Sequence, residues 1–130
     1  MISTLSIDTT DRSEMIDITC KVEEELKRSE LKDGVCFLFV PHTTAGITIN
    51  ESADPSVAKD IQAMLNKLIP WEGSYGHLEG NSAAHIKSSL IGNSVMVLVE
   101  SGHLKLGTWQ GIFFCEFDGP RSRKLYIKFQ

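Results

Sequence analysis

The sequence predicts an α+β fold with a mainly antiparallel sheet, and three observations support this class. Apolar or alternating segments typical of strands occur near both ends of the 130-residue chain and in its middle. Three segments with helical spacing lie between these strands. Strands and helices form separate groups along the chain instead of alternating one for one, which disfavours a doubly wound parallel fold. The length corresponds to one domain, 1–130.

The first half of the chain is expected to contain an early strand, a helix and a strand pair. Residues 5–8 alternate between apolar and polar side chains, as strand residues do. Thr19 is the expected N-cap of the first helix, and Asp33-Gly34 is its expected end. The aliphatic run 35–40 predicts a buried strand, and residues 47–49 alternate like its neighbour.

The second half is expected to contain two helices followed by strands. Asp54-Pro55 predicts the start of the second helix, because proline suits the first helical position, and Pro70 ends it. A third helix is predicted from Asn81 to about Leu90, before Gly92. The remaining apolar segments predict three strands, at 95–99, 111–117 and 125–129.

Composition excludes several classes of protein. With 42% hydrophobic and 23% charged residues, the chain is expected to be a soluble globular protein. A formal charge of -4 and the lack of a basic stripe argue against a nucleic-acid or membrane-surface partner. No stretch has the length of a transmembrane helix, and the first residues do not resemble a signal peptide.

The cysteines indicate a reducing compartment. Cys20, Cys36 and Cys115 are odd in number and show no CxxC spacing. Two of them lie inside apolar strands, where a thiol behaves as a small hydrophobic group. We therefore expect reduced thiols and a cytoplasmic protein.

Residues 42–51 concentrate polar side chains between two strands. A proline precedes this segment at the end of the aliphatic run. Its candidate ligand-binding residues are His42, Thr43, Thr44, Asn50 and Glu51. Flanking strands would hold them rigidly, as a binding site requires. The alternative is a tight hairpin whose hydroxyls bind only backbone groups.

Two further histidines could join His42 in a metal site. His77 precedes the third helix and His85 lies within it, four residues after Asn81 and therefore on the same helix face. Three imidazoles would leave one coordination position open, as in catalytic zinc sites. The spacing is not a metal motif in itself, and the alternative is a solvated loop histidine and an ordinary helix histidine.

Two more segments are candidates for ligand binding. In the first, glycines flank Thr108, Trp109 and Gln110, so the backbone could approach a ligand closely; the alternative is a β-turn with the indole capping the core. In the second, Glu116 and Asp118 precede Arg121 and Arg123. These arginines would bind phosphate or pair with the neighbouring carboxylates.

Together these segments resemble one family, the YjbQ-like family, whose members are often assigned as secondary thiamine-phosphate synthases. The resemblance rests on 42–51, on Gly80-Asn81 with 84–89, on Leu106-Gly107-Thr108-Trp109-Gln110-Gly111-Ile112 and on 116–121, and it covers nearly the whole chain. It implies a sandwich of two sheets with about three helices, assembled as a homotrimer. It also implies a divalent metal ion, zinc or magnesium, at His42, His77 and His85.

The resemblance further implies a phosphorylated small-molecule substrate and roles for individual residues. Lys87 and Arg121 would stabilise a leaving diphosphate, Trp109 would stack on a heteroaromatic ring, and a metal ion would assist. The residues expected to contact the ligand are Thr43, Thr44, Asn50, Asn81, Ser88, Thr108 and Gln110. Two alternatives remain: a metal-dependent hydrolase in which Glu51 or Glu116 takes a proton, and a non-catalytic metal- or small-molecule-binding protein.

Overall fold

Eight strands and three helices make up the fold in the computed structural model, which describes residues 1–130. The strands are β1 Ser3–Asp8, β2 Glu14–Asp17, β3 Gly34–Phe39, β4 Ala45–Glu51, β5 Ser94–Glu100, β6 His103–Leu104, β7 Gln110–Glu116 and β8 Ser122–Phe129. The helices are α1 Thr19–Ser29, α2 Pro55–Leu68 and α3 Ser82–Ile91. None of the three is both long enough and apolar enough to span a membrane.

The strands form two antiparallel sheets, which confirms the predicted fold class. One sheet has five strands in the order β1-β8-β3-β5-β6, and the other has three in the order β2-β7-β4. The chain passes from one sheet to the other six times, and two of these crossings are the turn after β3 and the connection between β7 and β8. These two crossings lie close to polar residues singled out in the sequence.

The main hydrophobic core lies between the two sheets. Its 15 buried residues include Leu38 from β3, Ile47 from β4, Phe114 from β7 and Leu125 from β8, together with Val22 on α1. A second cluster of five buried residues joins α2 and α3 to the other face of the three-stranded sheet. The outer face of the five-stranded sheet carries no helix.

The helix boundaries correct two details of the sequence analysis. The N-cap of α1 is Ile18 rather than Thr19, and Thr19 Oγ1 instead donates to Asp17 Oδ1 at 2.6 Å. The helix also ends earlier than predicted, at Ser29, because Glu30 adopts the left-handed conformation. The start of α2 is confirmed: the Asp54 side chain accepts a hydrogen bond from Ser56 N, and Pro55 follows it.

The strands formed by the apolar runs 35–40 and 95–99 are buried on one face only. Cys36 and Leu38 of β3 point into the core, whereas Phe37 and Phe39 are about half exposed. The same alternation holds in β5, where Met96 and Leu98 are exposed. An uninterrupted apolar run is typical of a strand covered on both faces, and this chain by itself covers only one.

Candidate functional site

A buried ion pair links the two sheets at the base of the site. Glu116 at the end of β7 is fully buried, and Arg123 on β8 is 4% exposed. Arg123 Nε donates to Glu116 Oε2 at 2.7 Å, and its Nη2 donates to Glu116 Oε1. Thr9 Oγ1 also donates to this carboxylate, and Arg123 Nη2 donates to Thr44 Oγ1 at 2.9 Å. The guanidinium is therefore held in one position, with its Nη1 left without a protein partner.

His42 is held by the backbone of β8, the strand that carries Arg123. Its Nε2 accepts a hydrogen bond from the Lys124 N–H at 2.9 Å, so the neutral ring carries its proton on Nδ1. Partial burial lowers the pKa of His42, and the nearby Arg123 charge lowers it further. His42 is consequently a neutral donor at physiological pH.

Arg121 lies above this ion pair in the β7–β8 connection. Its Nε donates to the Asp118 carbonyl at 2.8 Å, and its Nη2 donates to Asp118 Oδ2 at 2.9 Å. Asn81, which immediately precedes α3, donates to the same carboxylate oxygen at 3.0 Å. The Asn81 Oδ1 atom is buried and has no hydrogen-bond partner in the protein.

These groups surround a polar cleft of about 600 Å³, a size suited to a small ligand. Its polar lining consists of His42, Thr43, Thr44, Glu79, Asn81, His85, Asn93, Arg121 and Arg123. Phe39, Val40 and Pro41 form its apolar side. A hollow of about 450 Å³, which shares His42 and His85 with the cleft, extends along α3 past Ser88. The cleft therefore lies where β3, α3 and the β7–β8 connection meet.

A close approach of the backbone explains one glycine of the 42–51 segment. A Cβ atom on Gly46 would lie 2.7 Å from the Gly92 carbonyl oxygen, below any normal contact distance. The same carbonyl accepts a hydrogen bond from Ile47 N at 3.1 Å. Gly46 thus lets the end of α3 lie directly against β4, which places His85 beside His42 on the cleft.

The three histidines of the predicted metal site lie near one another without converging. His42 and His85 line the cleft, whereas His77 packs edge-on against His85 with ring centroids 5.3 Å apart. No three His, Cys, Asp or Glu side chains are arranged to hold an ion. The donor types nevertheless fit a divalent ion, because two imidazoles, the Glu79 carboxylate and the unpartnered Asn81 oxygen occur together.

Five of the candidate residues lie at the opposite end of the three-stranded sheet. Strand β4 runs from the cleft to Asn50 and Glu51, seven residues in all. Glu51 borders a different, smaller hollow beside α2. At this end of β4, Gln110 pairs with Glu51, Ser52 N donates to the Trp109 carbonyl, and Thr108 precedes them in the chain. Trp109 is 63% exposed and does not cap the core.

Lys87 and Ser88 are held by other parts of the protein. Lys87 is only 3% exposed, and its Nζ donates to Asn66 Oδ1 on α2. Burial lowers the pKa of Lys87, with a further lowering by Arg12. Ser88 Oγ donates to the Ala45 carbonyl at 2.6 Å and so ties α3 to β4.

Five cleft residues were not candidates from the sequence: Phe39, Val40, Pro41, Glu79 and Asn93. Phe39 was hidden in an apolar run, and Glu79 and Asn93 follow no motif. Arg123 was considered as a phosphate ligand or as an ion-pair partner, and the structure shows the ion pair. One sequence signal for the ion pair was the alternation of residues 122–129, which places Arg123 on the inward face of its strand. A charged side chain on that face needs a partner.

The fold and site define a class: a two-sheet α+β sandwich with a histidine- and arginine-lined cleft where the sheets and α3 meet. The chain belongs to the UPF0047 protein YjbQ-like family, whose sequence pattern matches residues 3–130. The chain is 57% identical to the UPF0047 protein YugU of Bacillus subtilis over 98% of each chain. It is 54% identical to a UPF0047 protein of Methanocaldococcus jannaschii, covering 98% of this chain and 93% of that one.

A solved structure confirms the fold. A YjbQ/UPF0047 family protein from Clostridium acetobutylicum superposes with a TM-score of 0.96 at 52% identity, covering 98% of this chain and 99% of the other. The family resemblance seen in the sequence is thereby confirmed.

Proposed function

We propose that the cleft binds a phosphorylated small molecule. The observation that supports this most directly is the pair of arginines on its wall. Arg121 and Arg123 are each fixed through Nε and Nη2, so their Nη1 groups remain for a ligand. Guanidinium groups bind phosphate oxygens through charge-assisted hydrogen bonds. The neutral His42 adds a further donor beside them.

The ligand also carries a hydrogen-bond donor or brings a cation. An unpaired buried acceptor such as Asn81 Oδ1 costs roughly 1–3 kcal/mol. The Glu79 carboxylate lines the same cleft. A ligand with phosphate on one side and a hydroxyl, amine or bound metal on the other would satisfy both sets of groups.

A divalent ion, zinc or magnesium, is part of this proposal. His85, Glu79 and the Asn81 oxygen are the groups that would hold it. His42 would join them only by giving up its hydrogen bond to Lys124 N. Such an ion would neutralise charge on phosphate oxygens and act as a Lewis acid. Elemental analysis should find bound metal in the parent protein and less in His85→Ala, and equal trace amounts in both would reject the metal.

The reaction that the family resemblance suggests is thiamine-phosphate formation. The thiazole nitrogen forms a bond to the pyrimidine methylene carbon, and the carbon–oxygen bond to diphosphate breaks, so the leaving diphosphate keeps the electron pair. The arginines of the cleft would stabilise that leaving group. Three residues expected to take part in the reaction do not line the cleft, namely Glu51, Trp109 and Lys87, so we expect only weak turnover. The turnover should depend on the proposed divalent ion. Incubation with both phosphorylated precursors tests this, and turnover on the order of 1–1000 per second would contradict it.

Of the two alternative functions, the structure favours the non-catalytic one. Neither carboxylate expected to act as the base of a hydrolase is available to the cleft, because Glu116 is fully buried in its ion pair and Glu51 lies beside α2. A small-molecule-binding protein needs only the fixed donors described above.

The proposal includes a homotrimer in the cytoplasm. The family resemblance suggests the number three. The three cysteines are free, and two of them are buried in the core, which suits a reducing compartment.

Binding of inorganic pyrophosphate, measured by titration calorimetry, tests the proposed function. Arg121→Met should weaken binding at least tenfold, because it removes a guanidinium that would bind the phosphate. The side chain is partly exposed, so the substitution should leave the fold intact. The matched control is Arg28→Met, which removes an exposed, ion-paired arginine far from the cleft. Equal affinity in both variants, or no binding by the parent protein, would refute the proposal.

A further inference from the structure

A hollow between α2 and the three-stranded sheet, here called the α2 hollow, lies at the far end of β4 from the cleft. Its volume is about 320 Å³, near the lower end of the range for ligand sites. It shares no residue with the cleft. A strand rises about 3.3 Å per residue, so the seven residues of β4 separate the two places by roughly 20 Å. A small ligand in the α2 hollow would therefore not meet one in the cleft.

Two carboxylates face the α2 hollow with oxygen atoms free for a ligand. Asp17 Oδ1 accepts hydrogen bonds from Thr19 N and Thr19 Oγ1, whereas no hydrogen bond reaches its Oδ2. Glu51 lies across the hollow at the end of β4. The five ion pairs of the chain all involve other carboxylates, so neither of these two has a cationic partner.

This pair of carboxylates suits an ammonium group better than a metal ion. The chain has no group of three His, Cys, Asp or Glu side chains placed to hold an ion, and calcium takes six to eight oxygen ligands. An ammonium group carries three N–H donors and needs only a few acceptors around it. Asp17 and Glu51 supply such acceptors from two different strands.

The α2 side of the hollow has the opposite charge. Lys59 lines it, and Gln62 adds an amide one helical turn further on. Lys59 forms no ion pair with Asp17 or Glu51, although all three border the same hollow. Opposite charges that face one hollow without touching leave room for a ligand that carries both charges.

The rest of the lining is largely apolar. Phe113 on β7 is 5% exposed and packs with Met15 and Ala58 in the smaller hydrophobic cluster. All three border the hollow. A short aliphatic group on the ligand would therefore lose contact with water against them.

We propose that the α2 hollow binds an aliphatic α-amino acid. Its ammonium group would donate to Asp17 and Glu51, and its carboxylate would accept from Lys59. Its side chain would pack against Phe113. Charge-assisted hydrogen bonds at both ends would select a zwitterion over a compound with one charge.

Titration of the isotope-labelled protein with L-leucine, followed by NMR chemical shifts, tests this proposal. Amide shifts should saturate at millimolar concentration and centre on residues around the hollow. Isoamylamine lacks the carboxylate of leucine, and isocaproate lacks its amine. Each should bind at least tenfold more weakly, because each loses one charged contact. No saturable shift with leucine, or equal affinity for leucine and either analogue, would overturn the proposal.

Two variants locate the binding. Glu51→Gln and Lys59→Met should each weaken leucine binding at least tenfold. The matched controls are Glu23→Gln on α1 and Lys67→Met at the other end of α2, both at exposed positions outside the hollow. Unchanged leucine affinity in either test variant would overturn the proposal.

Pyrophosphate affinity separates this site from the cleft. Lys59→Met should bind pyrophosphate as the parent does, because Lys59 does not line the cleft. Failure of the parent to bind pyrophosphate would refute the function proposed for the cleft and leave the leucine result standing. Loss of both ligands in Lys59→Met would show a general structural defect and overturn the assignment of Lys59 to the hollow.

Discussion

At the scale of single residues, the site depends on a charged pair that is costly unless both partners are present. Glu116 and Arg123 are almost completely removed from water. Removing one partner of such a pair leaves an uncompensated buried charge. The carboxylate therefore acts as the anchor that orients the arginine, and not as a free base.

Arg123→Met should destabilise the protein by about 3–5 kcal/mol, because the Glu116 charge remains buried. The double variant Glu116→Leu/Arg123→Met should recover most of this loss, since no charge is left unpaired. Urea unfolding of the two single variants and the double variant measures the coupling. Additive effects would show that the two side chains act independently.

His42 should make stability depend on pH. Burial and Arg123 lower its pKa below the ordinary 6.5, so the folded state resists protonation. Below about pH 6.5 the unfolded chain takes up a proton that the folded chain does not, and stability falls as pH decreases through the folded-state pKa. Stability at pH 7.5 and pH 5 should therefore differ more in the parent than in His42→Gln, measured by urea unfolding. An identical difference in both would contradict the prediction.

At the scale of elements, the contact between β4 and α3 positions the cleft. It depends on the missing side chain of Gly46 and on the hydrogen bond from Ser88 to Ala45. Ser88 was predicted from the sequence to contact a ligand, whereas Gly46 was only part of the polar segment 42–51. Their main role is to bring two elements together, which no local pattern could reveal.

Gly46→Ala should destabilise the protein by about 1–3 kcal/mol, because its methyl group would press on the Gly92 carbonyl. Gly76→Ala is a suitable control, since a Cβ there meets no atom within 4 Å. Thermal unfolding should show a lower midpoint for the first variant only. Equal midpoints would mean that β4 and α3 can separate at little cost.

At the scale of the whole molecule, much of the fold could be predicted from periodicity. The helix starting at Asp54-Pro55 and the strand at 111–117 follow from local patterns and were found within a residue or two. The pairing of strands into two sheets was not readable, because it depends on contacts such as Thr9 with Glu116, 107 residues apart. The family resemblance supplied the sandwich that local patterns could not.

The candidate site was predicted less completely than the fold. His42, Asn81, His85 and Arg121 do surround one cleft. Trp109 was placed with them because its motif is distinctive, but its distance from the cleft depends on the direction of β4. Phe39 was missed because an apolar residue in an apolar run carries no sign of exposure.

The reactivity of the buried thiols should show whether the two hydrophobic clusters open together or separately. Burial raises the pKa of both Cys36 and Cys115 to about 12, so neither should react in the folded protein. Cys20 is exposed and should react at once. Thiol labelling should therefore give one fast equivalent per chain and two more on unfolding. If Cys115 reacts well before Cys36, the α2–α3 layer opens independently of the sandwich.

The ion pair beneath the cleft should also influence which alignment of the strands is most stable. Glu116 and Arg123 belong to strands of different sheets, and they meet only when β7 and β8 are both in native register. A shift of β8 by two residues would preserve its apolar alternation but leave the Glu116 charge buried without its partner. We therefore expect the pair to destabilise misaligned chains relative to the native one. The unpaired charge of a misaligned chain would lie at the same place where an aligned chain forms its binding groups. Correct alignment and a competent cleft then arise in one event, and misfolded copies would be recognised by the absence of ligand binding.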